Sequence, residues 1–304
     1  MKKIFVLSVI SFFLCSCGFA KDDKMIEAKD IIKQINKGKN IQLVDKIISD
    51  DLDFTKIEER CADANGSMLH TVKPEILFVK CVFLGKVTCS SQEGKISHQA
   101  RFDNNVSFRA CDFRNTVDFN YTSIGGSLNL AQSVFRENAD LNSIFVKGSG
   151  VQLWEVKAEK GFSMVDLRTL GGVNMMDAQF KQDCMLQSMQ CTNFQFSNVV
   201  CESLLDLSMS NVKGRALINY GQFSGNVLMN NVRIEELDML SCKFCKELQL
   251  DESVILGKSR FNQSQFEGLS ANNCYFLIEP LFEGANVKNA VKVNVLESKQ
   301  FEIK

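Results

Sequence analysis

Residues 106–138 fall into three consecutive lines of eleven, VSFRACDFRNT, VDFNYTSIGGS and LNLAQSVFREN, which align without a gap. Phe, Leu or Ile returns to the same columns, with a second apolar stop about halfway along each line. An α-helix repeats near 3.6 residues and a half-buried strand near 2, so neither element alone produces this spacing. A fixed longer period marks a chain built from one small unit that stacks on copies of itself.

The lines resolve into short steps. Each step centres on an apolar residue, with a second inward residue two positions earlier, as side-chain alternation along a short strand requires. The first pairs are Val106/Phe108, Cys111/Phe113, Val117/Phe119, Thr122/Ile124, Leu128/Leu130 and Ser133/Phe135. Their centres alternate between five-residue and six-residue spacing. The pattern continues through Ala139/Leu141, Ala178/Phe180 and Cys242/Phe244 to Cys274/Phe276, and reaches back to Ile41/Leu43. The predicted core therefore includes Phe108, Phe113, Phe119, Ile124, Leu130, Phe135, Leu141, Phe180, Phe223 and Phe244.

A five-residue step with a central Leu or Phe and a small residue two before it resembles the pentapeptide repeat family. The resemblance covers roughly residues 41–290. It implies an all-β fold, a right-handed parallel β-helix solenoid of four steps per coil. With alternating five- and six-residue steps a coil is about 21–22 residues, two opposite corners being widened. The sequence departs from the plainest family pattern in that widening, and in showing the Ala-Asp-Leu core cleanly only at Ala139-Asp140-Leu141. One corner carries a column that reads Asn104, Gly126, Gly148, Gly171, Asn193, Gly214, Glu236 and Gly257. Gly and Asn tolerate positive φ, so a repeated left-handed turn is expected there.

The termini differ from the repeats. "MKK" followed by "IFVLSVISFFL" has the form of a bacterial-type export signal. "LCSC" at residues 14–17 resembles a lipobox, which predicts lipidation at Cys17 and a signal peptide over 1–17; the alternative is cleavage after residue 20. The apolar run is shorter than the roughly 20 residues of a membrane span, so no transmembrane helix is expected and the membrane is met only through a lipid anchor. Residues 18–40 are expected to be a tether and a short N-terminal α-helical cap, with Ile26, Ile31, Ile32 and Ile35 at helical spacing and a stop at Gly38. The β-helix then spans 41–276, with loop insertions near 56–74 and 90–99, and 277–304 form a C-terminal cap that alternates as a strand.

Lys and Arg number 35 against 36 Asp and Glu, for a formal charge of −1. That balance gives no reason to expect nucleic acid as a partner. Eight cysteines (81, 89, 111, 184, 191, 201, 242 and 274) fall at inward positions, which predicts buried free thiols filling sites for small apolar side chains, not stacked on one another in adjacent coils. In "CKFC" the register points Cys242 inward and Cys245 outward, so its metal or redox spacing is not expected to work. His70 and His98 lie one in each insertion and are expected to be solvated. Zinc would want three or four ligands, and no cofactor or metal is predicted. Phosphate loops, nucleophile elbows and His-Glu metalloprotease motifs are absent from the sequence.

One outer face carries Trp154, Met176, Leu217, Tyr220 and Leu240, a candidate binding surface for a protein or glycan. The neighbouring face mixes basic and acidic residues as a solvated surface does. These features favour a non-enzymatic exported scaffold, a cell-envelope lipoprotein facing the periplasm or the cell surface; the alternative is a secreted or a soluble periplasmic protein. Two other readings follow from resemblance. Some family members mimic DNA and bind gyrase, which calls for a strongly acidic surface that this chain lacks. Other β-helices act on polysaccharides, which calls for clustered carboxylates that are not visible here.

Overall fold

The computed structural model describes residues 24–295, and side chains as far as residue 289. The signal segment, Cys17 with its alternative cleavage point, and residues 296–304 lie outside the described residues. Between them the chain winds as a parallel β-solenoid of about 12 turns, with one helix near its N-terminus. Val106 pairs with Leu128, Leu128 with Val151, Val151 with Val173, Val173 with Phe194, Phe194 with Ala216 and Ala216 with Leu237, so a coil takes 21 to 23 residues. Each coil has four short strands, and successive coils pair in register on four faces, numbered in chain order from Val106–Arg109 (first) through Asp112–Phe113 (second) and Val117–Asp118 (third) to Ser123–Ile124 (fourth). A strand of two or three residues has no stability of its own; pairing above and below supplies it.

The interior is a closed apolar column in which all ten predicted core residues are buried. Rings stack directly along the second face: Phe83 on Phe113 at 5.0 Å and Phe113 on Phe135 at 5.0 Å, then Phe223 on Phe244 at 5.0 Å and Phe244 on Phe266 at 4.9 Å. Ala158 and Cys201 interrupt that column. Beside Ala158, Phe162 comes in from the third face to meet Phe135 and Phe180. Beside Cys201, Phe196 on the first face bridges Phe180 and Phe223. A small residue in one column is matched by a large one in the next, as an interior packed to crystal-like density requires.

The corners correct the sequence reading. Among the described residues eighteen non-glycine positions have positive φ, and from Ala110 onward they recur every 10 to 12 residues. All sit in the five-residue steps. Gln132, Glu155, Asp177, Asn198 and Tyr220 turn the chain out of the first face; Tyr121, Ser143, Asp166, Ser188 and Met209 turn it out of the third. The tight corners are therefore the left-handed ones. Side chains just upstream steady the turn: Asn129 Oδ1 accepts from the Ala131 amide at 3.0 Å, Asn174 Oδ1 from Met176 at 3.1 Å and Asp118 Oδ1 from Asn120 at 2.8 Å.

The glycine column belongs instead to a widened corner, and none of its glycines has positive φ. Glycine is selected there because successive coils approach too closely for a side chain. A Cβ on Gly214 would lie 2.7 Å from Asn193 Oδ1 and 2.9 Å from the Thr192 carbonyl, and one on Gly257 would lie 2.7 Å from the Glu235 carbonyl.

At several tight corners the inward residue that follows also does more than fill space. Ser133 Oγ donates to the Phe108 carbonyl at 2.7 Å and accepts from the Cys111 amide at 3.0 Å. Ser253 treats Met229 and Val232 in the same way, at 2.7 and 3.2 Å. The left-handed turn strands one carbonyl and one amide inside an apolar core, and a hydroxyl one coil further on satisfies both. Cys111, Cys242 and Cys274 occupy the same positions, their thiols donating to the carbonyls of Phe78, Ile218 and Leu250. These cysteines are thus polar plugs as well as small fillers.

The first rung is capped. Met25–Ile26 pair with Ile47–Ile48, so Ile26 is a strand residue and not part of the helix. Helix α1 spans Ala28–Asn36 and buries Ala28, Ile31 and Ile35; the Ala28 amide donates to Asp50 Oδ1 at 2.8 Å. At the other end Asn286–Val295 pair with Gln265–Phe276.

Candidate functional site

The two insertions are hairpins that meet. The first pairs Arg60–Ala62 with Met68–Val72, and Asp63 Oδ1 closes its turn by accepting from the amides of Asn65 and Ser67, each at 2.8 Å. The second pairs Ser90–Glu93 with Ile96–Phe102 and turns at Gly94. Strands Met68–Val72 and Ile96–Phe102 then pair in parallel, with His70 opposite Ala100 and His98 opposite Met68. The excursions thus prolong the fourth face outward as one two-layered flap.

This pairing corrects the expectation of two solvated histidines. His70 is buried, at 2% exposure. Its Nδ1 donates to the Ile57 carbonyl at 2.8 Å, which leaves Nε2 as the acceptor of the neutral ring; His98 Nδ1 lies 2.9 Å away and donates to it. On the far side His98 Nε2 lies 3.5 Å from Glu93. The ring centres are 5.2 Å apart, about the sum of two ring radii and the nitrogen–nitrogen distance, so both nitrogens lie on the line joining the rings. That is the geometry of a direct hydrogen bond and not of two ligands converging on a shared ion. Burial pushes the His70 imidazole below its ordinary value; the Ile57 carbonyl opposes the shift, and His98 and Arg60 add to it.

The histidines line an open pocket of about 630 Å³ shared by both hairpins and the short turn Phe54–Lys56. Lys56 and Arg60 are balanced by Asp53, Glu58 and Glu93 around it. Thr55 Oγ1 donates to Asp53 Oδ1 at 2.6 Å and lies 3.0 Å from Ser91 Oγ, tying the turn to the second hairpin. The pocket offers side chains of both charges and a hydrogen-bonded histidine pair that links the buried His70 ring to the exposed Glu93 carboxylate. Among the described residues no group of three or more His, Cys, Asp or Glu is placed to hold a metal ion.

The predicted outer face is real as a face but not as a continuous apolar strip. Trp154, Met176 and Leu240 lie one residue past the first-face centres, Leu217 lies in the adjacent column, and Tyr220 lies at a tight corner. Only Tyr220 is exposed; the other four are half-buried. Ser197 and Asn219 interrupt the Trp154 column, and Gln195 and Asp238 flank Leu217. Beside Leu217 runs a shallow trough of about 350 Å³ with Gln152, Asn174, Gln195 and Arg215 along it.

Next to that trough Asp238 is fully buried and held by Arg215 and Arg260, from the coils on either side. Burial pushes its carboxyl up, and the hydrogen bonds and charges of Arg260 and Arg215 more than offset this, so it lies below the usual carboxylate range. This ionic bridge had no distinct signal in the sequence, where an Asp at an outward position looks solvated.

The eight cysteines predicted inward are buried, and Cys61 and Cys245 are exposed. Cys245 therefore turns away from Cys242. The expectation that no two cysteines stack fails at one place: Val82 pairs with Asp112, which sets Cys81 and Cys111 at equivalent positions on adjacent coils. The second hairpin lengthens the coil between them and hides their alignment in a simple count.

No helix among the described residues is long and apolar enough to cross a membrane. No curated protein and no solved structure matches the chain. Residues 98–144 match the family model for pentapeptide repeats, in nine copies. The matched segment contains the opening three lines of eleven, and the solenoid carries their register through the coils on both sides, so the chain carries pentapeptide repeats and its β-solenoid is consistent with a pentapeptide-repeat β-helix whose steps alternate between five and six residues.

Proposed function

We propose that the protein is a non-enzymatic, exported scaffold, anchored by lipid at Cys17, whose solenoid presents a binding site to a protein or glycan partner in the cell envelope. The observation that carries this reading is the convergence of both insertions. A repeat that keeps its register for coil after coil is broken twice, and both breaks build one pocket. Loops that leave a rigid repeat are where recognition is commonly placed. The half-buried ridge of Trp154, Met176 and Leu240, with Tyr220 beside it, supplies a second contact surface on the same rod.

The N-terminal sequence supports the anchor. Seven residues separate Cys17 from Met25, the first strand residue, so an anchored chain holds its hairpin end against the membrane surface. Intact mass of the mature protein, with and without globomycin, tests this: a diacylated N-terminus at Cys17 is expected, and a chain beginning at Lys21 would refute it. For the scaffold, a partner captured on the wild-type chain is expected to be lost when the 90–99 hairpin is replaced by a short turn, or on Trp154→Ala with Tyr220→Ala. Full retention by both variants would remove both surfaces from consideration.

A further inference from the structure

Cys81 and Cys111 hold equivalent places on successive coils, each directly after a left-handed corner residue, Lys80 and Ala110. Neighbouring coils place paired backbones one strand spacing apart, roughly 4.8 Å, inside the window of Cα separations that a disulfide bridges. Both thiols are buried, at 0% and 1% exposure. Cys111 Sγ reaches down toward the coil of Cys81, 3.7 Å from the Phe78 carbonyl; Cys81 Sγ reaches down in turn, 3.5 Å from the Leu43 carbonyl of the coil before it and 3.5 Å from the Val79 carbonyl of its own, so closure needs the Cys81 side chain to rotate toward Cys111. Each thiol is thus one coil from its counterpart, in a stack of equivalent positions.

We infer that Cys81 and Cys111 are a disulfide site, closed as the chain folds in an oxidising compartment. The bridge would enclose residues 81–111, and with them the whole second hairpin that carries Glu93 and His98. It would fasten the irregular coil bearing the pocket, where the repeat itself supplies least. That the bridge closes in the cell rests on the export reading; that the pair is able to close does not.

The chemistry balances against a disulfide oxidant, R–S–S–R, either a thiol–disulfide oxidoreductase or oxidised glutathione. The Cys81 thiolate attacks one oxidant sulfur and expels RS⁻. The Cys111 thiolate then attacks the Cys81 sulfur of the mixed disulfide and expels the second RS⁻. Two electrons pass to the oxidant, and the two thiol protons end on the two departing thiolates. The two roles are interchangeable, since attack by either thiol first closes the same bond.

The test is refolding of the full chain in a glutathione redox buffer, alkylation, and peptide mapping without reductant. A peptide pair joined through Cys81 and Cys111 is expected as the main linked species, with two fewer alkylated thiols than in the reduced chain. A chain that regains its circular dichroism spectrum with both thiols alkylated, or one bridged elsewhere, overturns the inference. In Cys81→Ser, whose hydroxyl keeps the plug chemistry of the site, the linked species is expected to vanish and Cys111 to become alkylated. The same map on protein trapped by alkylation in cells separates the two readings. A bridge formed in the refolded chain but missing from cells refutes the export reading and leaves the pair standing.

Discussion

At the scale of single residues, the unusual demand on this sequence is the left-handed corner. Eighteen residues bear it, and they include Tyr121, Glu155, Met209 and Tyr220, none a type that favours φ near +60°. An L-residue with a Cβ loses roughly 1–2 kcal/mol in that region unless a short polar side chain compensates locally, as in Asn and Asp. Met209 is mostly exposed and has φ +60°, so its corner strain has little packing to offset it. Met209→Asn is expected to stabilise the protein by about 1 kcal/mol, raising the urea midpoint; an unchanged or lowered midpoint would show that the corner is not strained. His70 makes the opposite kind of statement. Its folded-state pKa is depressed, so below the unfolded value near 6.5 the unfolded chain takes up a proton that the native ring resists. The stability His70 contributes is complete above about pH 6.5 and declines as the pH falls toward the folded value. His70→Asn is expected to flatten that part of a stability–pH curve, and a slope unchanged by the substitution would count against the buried neutral ring.

At the scale of the elements, the coil corners separate two reasons for choosing glycine. A Cβ at Gly214 meets a carbonyl and a side-chain oxygen of the preceding coil, whereas the nearest atom to one at Gly161 is Asn138 Oδ1 at 3.4 Å. Gly214→Ala is therefore expected to cost about 1–3 kcal/mol by forcing two coils apart. Gly161→Ala, with ordinary φ and a neighbour that needs to give little, is expected to be neutral or to stabilise by up to about 1 kcal/mol through the unfolded chain. Denaturant titrations of the pair check both, and equal losses would refute the close-approach account. The contrast also shows what the sequence made legible. The apolar columns were readable because burial selects a narrow set of side chains at a constant spacing, and Phe108, Phe113 and Phe135 left that trace. The left-handed positions were not, because Tyr, Met, Asp and Ser share no chemistry there; only their spacing repeats. Glycine misled because close approach and positive φ select the same residue. The burial of His70 and the stacking of Cys81 with Cys111 were missed because each depends on an insertion that breaks the period, and contacts across an insertion have no fixed sequence separation. Asp238 was missed because its two arginines lie one coil to either side.

On the scale of the whole molecule, the solenoid is a one-dimensional stack in which each coil is supported by its two neighbours. The cost of a defect should then depend on where in the stack it falls. Phe135 is buried with its ring 5.0 Å above Phe113 and beside Phe162, and coils lie on both sides of it. Phe135→Asp would bury an unpaired carboxylate and remove a stacked ring, costing at least the roughly 3–5 kcal/mol of losing such a ring, a large share of any domain's stability. Val287 occupies the same column at the last rung among the described residues, where it pairs with Phe266 and is only partly buried. A carboxylate at Val287 can reach water by a small local opening, because no regular rung has to part to admit it. Val287→Asp is accordingly expected to fray the end and lower the midpoint of a thermal melt by a few degrees, while Phe135→Asp abolishes the cooperative transition. Circular dichroism melts of the two variants decide the matter. Equal losses would mean that stability is set by the rod as a unit, and the nearest-neighbour picture of this solenoid would have to be given up.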